Sequence, residues 1–298
     1  MAKKRKIAII TGVTSFLGRS TAKYLLSKNF LVFGIVRPDS EKISELDSIE
    51  GLNIIKLDFN DLSSNEFDNI SNSETFEHIK VIKESRNDIS VIHFAWGSTL
   101  DRNNFAKQML NVDMSIKVLH FAKMINASRF IFAGSQAEES DSAYGLAKKQ
   151  FADYAIKETK FLDMRFIHMR IFSIYGKEDR ETSLIKTLVK NCKENVDMSL
   201  SSCNYMWNFL YIDDFVSIIY KLIDKDAHTG VYDIASDDTR LLKDYVIEVH
   251  EALGAKSNLN FGERQDSAEK FAIPDISDTL NAIGKFKFTA FRDGILGV

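Results

Sequence analysis

Three residues in the middle of this 298-residue chain have the types and spacing for proton transfer at a carbon–oxygen bond: Ser135, Tyr144 and Lys148. Tyr144 and Lys148 stand four apart, which places them on one face of a helix. A free tyrosine, with a pKa of ~10, is a poor proton shuttle near neutrality. A nearby ammonium stabilises the phenolate, so Lys148 is expected to lower the Tyr144 pKa. Tyr144 would then give a proton to a carbonyl oxygen, or take it in reverse. Ser135 would donate a hydrogen bond to that oxygen as charge develops on it. Tyr-x-x-x-Lys alone is common on solvated helices. Here it follows a predicted strand that runs out just before Ser135, downstream of a glycine-bearing turn.

That turn is Thr11-Gly-Val-Thr-Ser-Phe-Leu-Gly18, between a predicted strand at 6–10 and a predicted helix at 17–28. Such a turn presents backbone N–H groups and a helix dipole to a phosphate. Gly12, Thr14, Ser15, Phe16, Leu17 and Gly18 are therefore cofactor-binding candidates. Gly12 takes the tight turn, and Gly18 lets the helix pack close. Ser15 stands where a third glycine is usual, and its hydroxyl is expected to face a phosphate. The second strand ends at Val36-Arg37-Pro38-Asp39-Ser40. An acidic residue at Arg37 would bind the ribose 2′-hydroxyl of NAD. A guanidinium suits a 2′-phosphate instead, which favours NADP(H) over NAD(H).

The elements that position these residues alternate. Near-continuous apolar strands are predicted at 6–10, 30–36, 53–57, 90–95, 129–134 and 165–172, with helical patterns at 103–126 and 144–158. This predicts an α/β fold, a Rossmann-type doubly wound parallel sheet covered on both faces. After about residue 175 the pattern changes to helices at 182–194, 213–224 and 241–253, with short strands at 208–212 and 230–234. The division expected is a dinucleotide-binding domain over 1–172, to which 208–236 returns, and a smaller mixed substrate-binding region over 173–207 and 237–298.

Composition narrows the field. The chain is 45% hydrophobic and 27% charged, with 39 basic and 42 acidic residues, which is ordinary for a globular protein and calls for neither nucleic acid nor a membrane surface. The basic start Met1-Ala-Lys-Lys-Arg-Lys6 reads as a solubilising end, and Ile7–Ile10 is too short for a signal-peptide core. Two cysteines, Cys192 and Cys203, make no disulfide framework and are read as structural thiols of a cytoplasmic protein. The six histidines are scattered without metal spacing, so no metal is expected. His93 reads as structural.

Taken in order, the motifs resemble those of the extended short-chain dehydrogenase/reductase family, in its nucleotide-sugar epimerase, dehydratase and reductase branch. The glycine turn is similar to TGxxGxxG. Asp58-Phe59, after the third strand, is similar to the family's adenine-contacting aspartate and its neighbour. His93-Phe-Ala-Trp-Gly97 resembles the strand end H-L-A-A, whose backbone lines the cofactor. Asn111 matches a recurrent asparagine on the next helix. Arg170-Ile-Phe-Ser-Ile-Tyr-Gly176 resembles R-x-F-N-V-Y-G, Trp207-Asn-Phe-Leu-Tyr-Ile-Asp-Asp214 resembles W-D-F-L-Y-V-D-D, and Gly230-Val-Tyr-Asp-Ile-Ala-Ser236 resembles G-x-Y-N-x-G-S.

The resemblance implies that Ser135, Tyr144 and Lys148 are catalytic, with Lys148 also holding the nicotinamide ribose. It adds Ala95, Trp96, Gly97, Asn111 and Ile171 to the cofactor contacts. Gln136, Ser173, Trp207 and Arg264 are the substrate-binding candidates. Ser173 replaces the family's pyrophosphate-binding asparagine, and Trp207 replaces its arginine. The dehydratase pattern S-T-D-E-V-Y-G is broken by Gln136 and Ala137, and Glu138 and Glu139 read as a charged loop. Reduction of a 4-keto nucleotide-activated sugar is the leading expectation, because Arg37 favours NADPH. The alternatives are a nucleotide-sugar epimerase with tightly held NAD(P) and a non-catalytic NADP-binding sensor. A homodimer through the helices at 103–126 and 144–158 is also implied.

Overall fold

The computed structural model describes residues 6–60, 78, 82, 88–266 and 272–298; Met1 to Arg5 of the basic start lie outside them. Seven strands form one parallel sheet: β1 (Lys6–Thr11), β2 (Leu31–Val36), β3 (Leu52–Lys56), β4 (Asp88–His93), β5 (Arg129–Ala133), β6 (Arg165–Ile171) and β10 (Gly230–Ile234). Their order is β10-β6-β5-β4-β1-β2-β3. The order reverses between β1 and β4, which opens a crevice at the carboxyl ends of the strands.

The apolar runs alternate between two cores. Ala8 and Ile10 of β1 join one cluster with Ala22 and Leu25 of helix α1 (Phe16–Ser27). Ile7 and Ile9 join the other, with Val118 and Leu119 of α2 (Phe105–Met124) and Phe151 of α3 (Ala143–Glu158). Both faces being covered, the strands need no polar positions, and this is why they read as continuous apolar runs. Helix α5 (Ile212–Asp224), after α4 (Leu184–Glu194), packs beside α1 on the first face.

The second half builds two further sheets. One holds β7 (Ser173–Tyr175), β9 (Met206–Tyr211) and β11 (Thr239–Leu241), in the order β11-β9-β7; the other pairs β8 (Met198–Leu200) with β12 (Leu259–Phe261). Of the stretch 208–236, α5 and β10 belong with the large sheet, whereas β9 pairs outside it. A third core gathers Tyr175, Leu188, Phe209, Val246 of α6 (Leu242–Ala252), Phe291 of the last helix, and both free cysteines, Cys192 and Cys203. Among the described residues no helix is long and apolar enough to cross a membrane.

Candidate active site

The glycine turn closes β1 onto α1. Gly12 has φ +68°, and a Cβ there would lie 2.7 Å from Ala95 N and 2.9 Å from Phe94 C. Only glycine takes that conformation against a neighbouring backbone without strain. A Cβ on Gly18 would meet the Gly12 carbonyl, so the helix start packs directly on the turn. The Ser15 hydroxyl has a partner within the chain as well. It caps α1, accepting from Gly18 N at 3.1 Å, because a helix start leaves N–H groups without backbone partners. Arg19, which sequence reasoning passed over, donates from Nη1 to Thr14 O at 2.5 Å and to Glu45 at 2.7 Å, and so braces the turn from behind.

A cavity of about 840 Å³ opens at the reversal of strand order. Gly12, Thr14 and Ser15 line it from β1 and α1, Arg37 from β2, Asp58 and Phe59 from β3, Ala95, Trp96 and Gly97 from β4, and Asn111 from α2. Asp39, Ser40 and Lys42 join Arg37 at one end; Arg37 is exposed and lies 3.8 Å from Asp39. Asp58 accepts from Asn60 N at 2.8 Å. Phe16, Leu17, Gly18 and Ile171 do not line the cavity: Phe16 and Leu17 pack on the core, Gly18 is buried in α1, and Ile171 is buried at the end of β6. Cavity size, the close-packed glycine turn and the helix start together fit a dinucleotide.

The strap after β4 is buckled to α2. Asn111 accepts from Gly97 N at 2.7 Å and donates to Gly97 O at 3.2 Å. Gln108 accepts from Trp96 Nε1 at 2.9 Å and donates to Ser98 O and Asp101 O at 3.0 and 3.1 Å. Gln108 is fully buried and was missed in the sequence; its spacing of three from Asn111 on one helical face was the available signal. His93 is buried between Thr11 Oγ1 at 2.7 Å and Ser115 Oγ at 2.9 Å, as a structural residue.

Burial pushes the His93 pKa down to about 3 from 6.5, with the nearby Lys148 adding to the effect. The unfolded chain therefore holds the extra proton between about pH 6.5 and 3, and stability falls as pH drops through that window. A His93→Asn variant, which cannot titrate there, is expected to lose less unfolding free energy between pH 7 and 4 than the wild type. Urea unfolding at each pH measures this, and equal losses would refute the assignment.

Ser135, Tyr144 and Lys148 come together beside this cavity. Phe132 of β5 and Phe151 of α3 meet edge-on at 4.7 Å between ring centroids, a pairing worth about 1 kcal/mol that fixes α3 against the sheet. The eight residues from Gln136 to Ala143 are compact: a 3₁₀ turn over Gln136–Glu139, capped by Ser135, leads into the α3 cap at Ser142. Gly145 lets α3 start against the Ala137 carbonyl, which a Cβ would strike. Tyr144 is half-buried, hydrogen-bonds with Ser135, and has its N–H donated to Arg102 O at 2.8 Å. Trp96 joins the two regions. It lines the cavity, stands edge-on to Tyr144 at 6.2 Å, and has Lys148 Nζ 4.2 Å from its ring centroid.

The electrostatics differ from expectation. Burial raises the Tyr144 pKa above its ordinary value of 10; the Ser135 hydrogen bond and the Arg102 cation oppose that rise, and Glu138 adds to it. Lys148 Nζ donates to Ala133 O at 2.5 Å and lies 5.6 Å from the Tyr144 ring centroid, and burial takes its own pKa down to about 7. An ammonium desolvated this far is charged only about half the time at neutral pH.

Glu138 is buried, not part of a solvated charged loop: its Oε1 accepts from Ser135 N at 2.7 Å and lies 3.1 Å from His168 Nε2 on β6, and its Oε2 lies 3.0 Å from the same nitrogen. Glu139 is half-exposed and binds Arg170 Nη1 at 2.9 Å. Arg170 also binds buried Asp233 of β10 through Nε at 2.6 Å and Nη2 at 3.0 Å, tying the turn to the sheet edge.

Three substrate candidates gather on the far side of Ser135. Gln136 Nε2 donates to Ser173 Oγ at 3.4 Å and shares a small cleft with Trp207. Trp207 packs edge-on to Tyr205 at 5.8 Å. Arg264 stands apart, exposed after β12, its N–H donated to Leu200 O at 3.0 Å. Among the described residues no group of three His, Cys, Asp or Glu side chains is placed to hold a metal.

Known proteins resemble this arrangement. The chain is 26% identical over 123 residues to the CDP-abequose synthase of Salmonella muenchen, a match covering 40% of this chain and 42% of that one. It is 26% identical over 132 residues to the ADP-L-glycero-D-manno-heptose-6-epimerase of Fusobacterium nucleatum, covering 40% of each. These matches thus span less than half the length of those relatives. Along nearly its whole length the fold superposes on a UDP-glucose 4-epimerase of Thermotoga maritima solved with UDP-glucose (TM-score 0.77, 14% identity, 97% of this chain and 96% of that one). It does so equally on the Bordetella bronchiseptica enzyme WbmH in complex with NAD+ (TM-score 0.76, 18% identity, 99% and 97%). The sequence model of the NAD dependent epimerase/dehydratase family matches residues 8–235. With its sheet order, glycine turn and Ser135–Tyr144–Lys148 cluster, the chain belongs to the NAD dependent epimerase/dehydratase family.

Proposed function

We propose that this protein reduces a 4-keto nucleotide-activated sugar with NADPH. The observation that carries the reading is the Tyr144 hydroxyl, hydrogen-bonded with Ser135 beside a dinucleotide-sized cavity. A phenol so held suits donation to a carbonyl oxygen as that oxygen gains charge. A reduced nicotinamide, when bound, would supply the hydride to the carbonyl carbon. The chain would supply the rest: Tyr144 the proton to the oxygen, Ser135 a hydrogen bond to the same oxygen, and Lys148 a hold on the nicotinamide ribose. Gly12, Thr14 and Ser15 offer the phosphate cradle, and Asp58 and Phe59 flank the adenine. Arg37, with Ser40 and Lys42 beside it, favours a 2′-phosphate over a bare hydroxyl. Gln136, Ser173 and Trp207 lie where the sugar and its carrier would reach. The protein would act in the cytoplasm, as a homodimer.

A second reading, epimerisation with retained NAD(P), is supported by the heptose-epimerase relatives. The two readings part on cofactor turnover. Supplied with NADPH and 4-keto-6-deoxy sugars on GDP, CDP, dTDP and UDP, the purified protein is expected to oxidise one NADPH per sugar with one carrier, faster than NADH. Absence of net oxidation, with inversion of an unreduced nucleotide sugar, would replace the reductase reading by the epimerase one. Tight NADP binding without either reaction would leave the sensor.

A further inference from the structure

The Ser135 turn holds a buried acid that the proposed chemistry does not use. Glu138 stands three residues after Ser135, not at the Gln136 and Ala137 positions of an elimination pair, and its carboxylate is engaged from two sides. Ser135 N donates to it at 2.7 Å, and His168 Nε2 lies 3.0 Å away. Both side chains are more than nine-tenths buried. The space between them is closed by Gly134, where a Cβ would fall 2.5 Å from Glu138 Oε1 and would also strike the His168 ring. A buried charge is retained only where it is paired and hydrogen-bonded, and an alternative apolar pair would usually be at least as stable. Stability alone is therefore a weak reason for this pair at the base of the Ser135 turn.

We propose that Glu138 is a positioning residue: clamped between the Ser135 amide and His168, its carboxylate fixes the Ser135 hydroxyl and sets a buried negative charge facing Tyr144 and Lys148. The role rests on the reading of Tyr144 as proton donor. Four further titratable or charged groups face the cluster. Arg102 faces Tyr144 from the strap before α2, His93 faces Lys148 from the end of β4, His168 on β6 backs Glu138, and Arg170 of the same strand, paired with Glu139 and Asp233, also feels the Glu138 charge. Glu138 opposes loss of the proton from both Tyr144 and Lys148, against the pull of Arg102 on Tyr144 and of burial on Lys148. With Glu138 in place, both groups stay protonated to higher pH, which is the state needed for reduction.

Glu138→Gln keeps the size and an acceptor for Ser135 N but removes the charge. Two readouts follow. In the protein without cofactor or sugar, the tyrosinate absorbance transition of Tyr144, isolated as the difference from Tyr144→Phe, is expected to move to lower pH by about one unit. In turnover, the alkaline limb of kcat is expected to move the same way. Glu138→Asp, which keeps the charge, is expected to leave both transitions near wild type while lowering kcat. A folded Glu138→Gln protein with unmoved transitions overturns the proposal, since a merely structural role would change melting temperature and leave them alone. Should Glu138→Gln fail to fold, Glu138→Gln/His168→Gln replaces the hydrogen-bonded pair by two amides and is read in the same way; unmoved transitions there overturn it equally. The tyrosinate shift without turnover of any nucleotide sugar keeps the Glu138 role and removes the reductase reading. Turnover without the shift does the reverse.

Discussion

Tyr144→Phe is expected to lower kcat by roughly 10²–10⁴-fold while leaving the fold and the affinity for NADPH close to wild type. The substitution removes one oxygen. It retains the ring that stands edge-on to Trp96 at 6.2 Å and beside the Arg102 guanidinium at 5.0 Å, so the packing of the α3 start survives. What is lost is the proton that burial keeps on the hydroxyl and the hydrogen bond with Ser135. Any remaining rate would come from cofactor and substrate held together, with water as the acid. Stopped-flow loss of NADPH absorbance gives the rate, and fluorescence titration gives the affinity. A variant within threefold of wild-type kcat would mean that Tyr144 is not the proton donor.

Gly12→Ala is expected to damage both stability and cofactor binding. At φ +68° an L side chain costs about 1–2 kcal/mol. The new Cβ would also press on the Phe94–Ala95 backbone at 2.7–2.9 Å, and backbone cannot swing aside as a side-chain tip can. Overpacking of this kind costs about 1–3 kcal/mol more, giving a melting temperature lower by roughly 5–15 °C. Relief would come by parting the turn from β4, which separates two walls of the cavity, so NADPH affinity is expected to fall at least tenfold, a factor worth about 1.4 kcal/mol. Calorimetry and NADPH titration measure the two effects. Wild-type values for both would show that the turn does not approach β4 as described.

Much of this was legible in the sequence because it is local. Ile7 to Ile10 announce a strand covered on both faces, and Gly12 and Gly18 announce the turn that follows it. Tyr144 and Lys148 declare a shared helical face by spacing alone. The misread features depend on partners far away in the chain. Glu138 and Glu139 look alike as neighbours, but one meets His168 on β6 and is buried, while the other reaches Arg170 at the surface. The Lys148 charge can be counted, whereas its desolvation beneath Trp96 cannot, so the fall in its own pKa is not legible in the sequence. Ser15 reads as a phosphate contact, and the demand of the α1 N-terminus that the same hydroxyl meets shows only in the folded turn. Likewise β9 has the apolar character of a sheet strand, and nothing in its residues says that it pairs with β7 and β11 instead.

The place of β10 carries a consequence for how the chain is made. β6 pairs on one side with β5, made shortly before it, and on the other with β10, made only after the whole stretch carrying β7, β8 and β9. Until Gly230–Ile234 leave the ribosome, β6 presents an open row of N–H and C=O groups, and Arg170 lacks its Asp233 partner. An exposed apolar strand edge of this kind invites pairing with another nascent chain. Pairings so distant in sequence also form slowly, since the loop must close before any contact rewards it. The turn that carries Ser135 is tied to β10 through Glu139, Arg170 and Asp233, so this tie of the candidate site is completed late, by the strand that also covers the β6 edge.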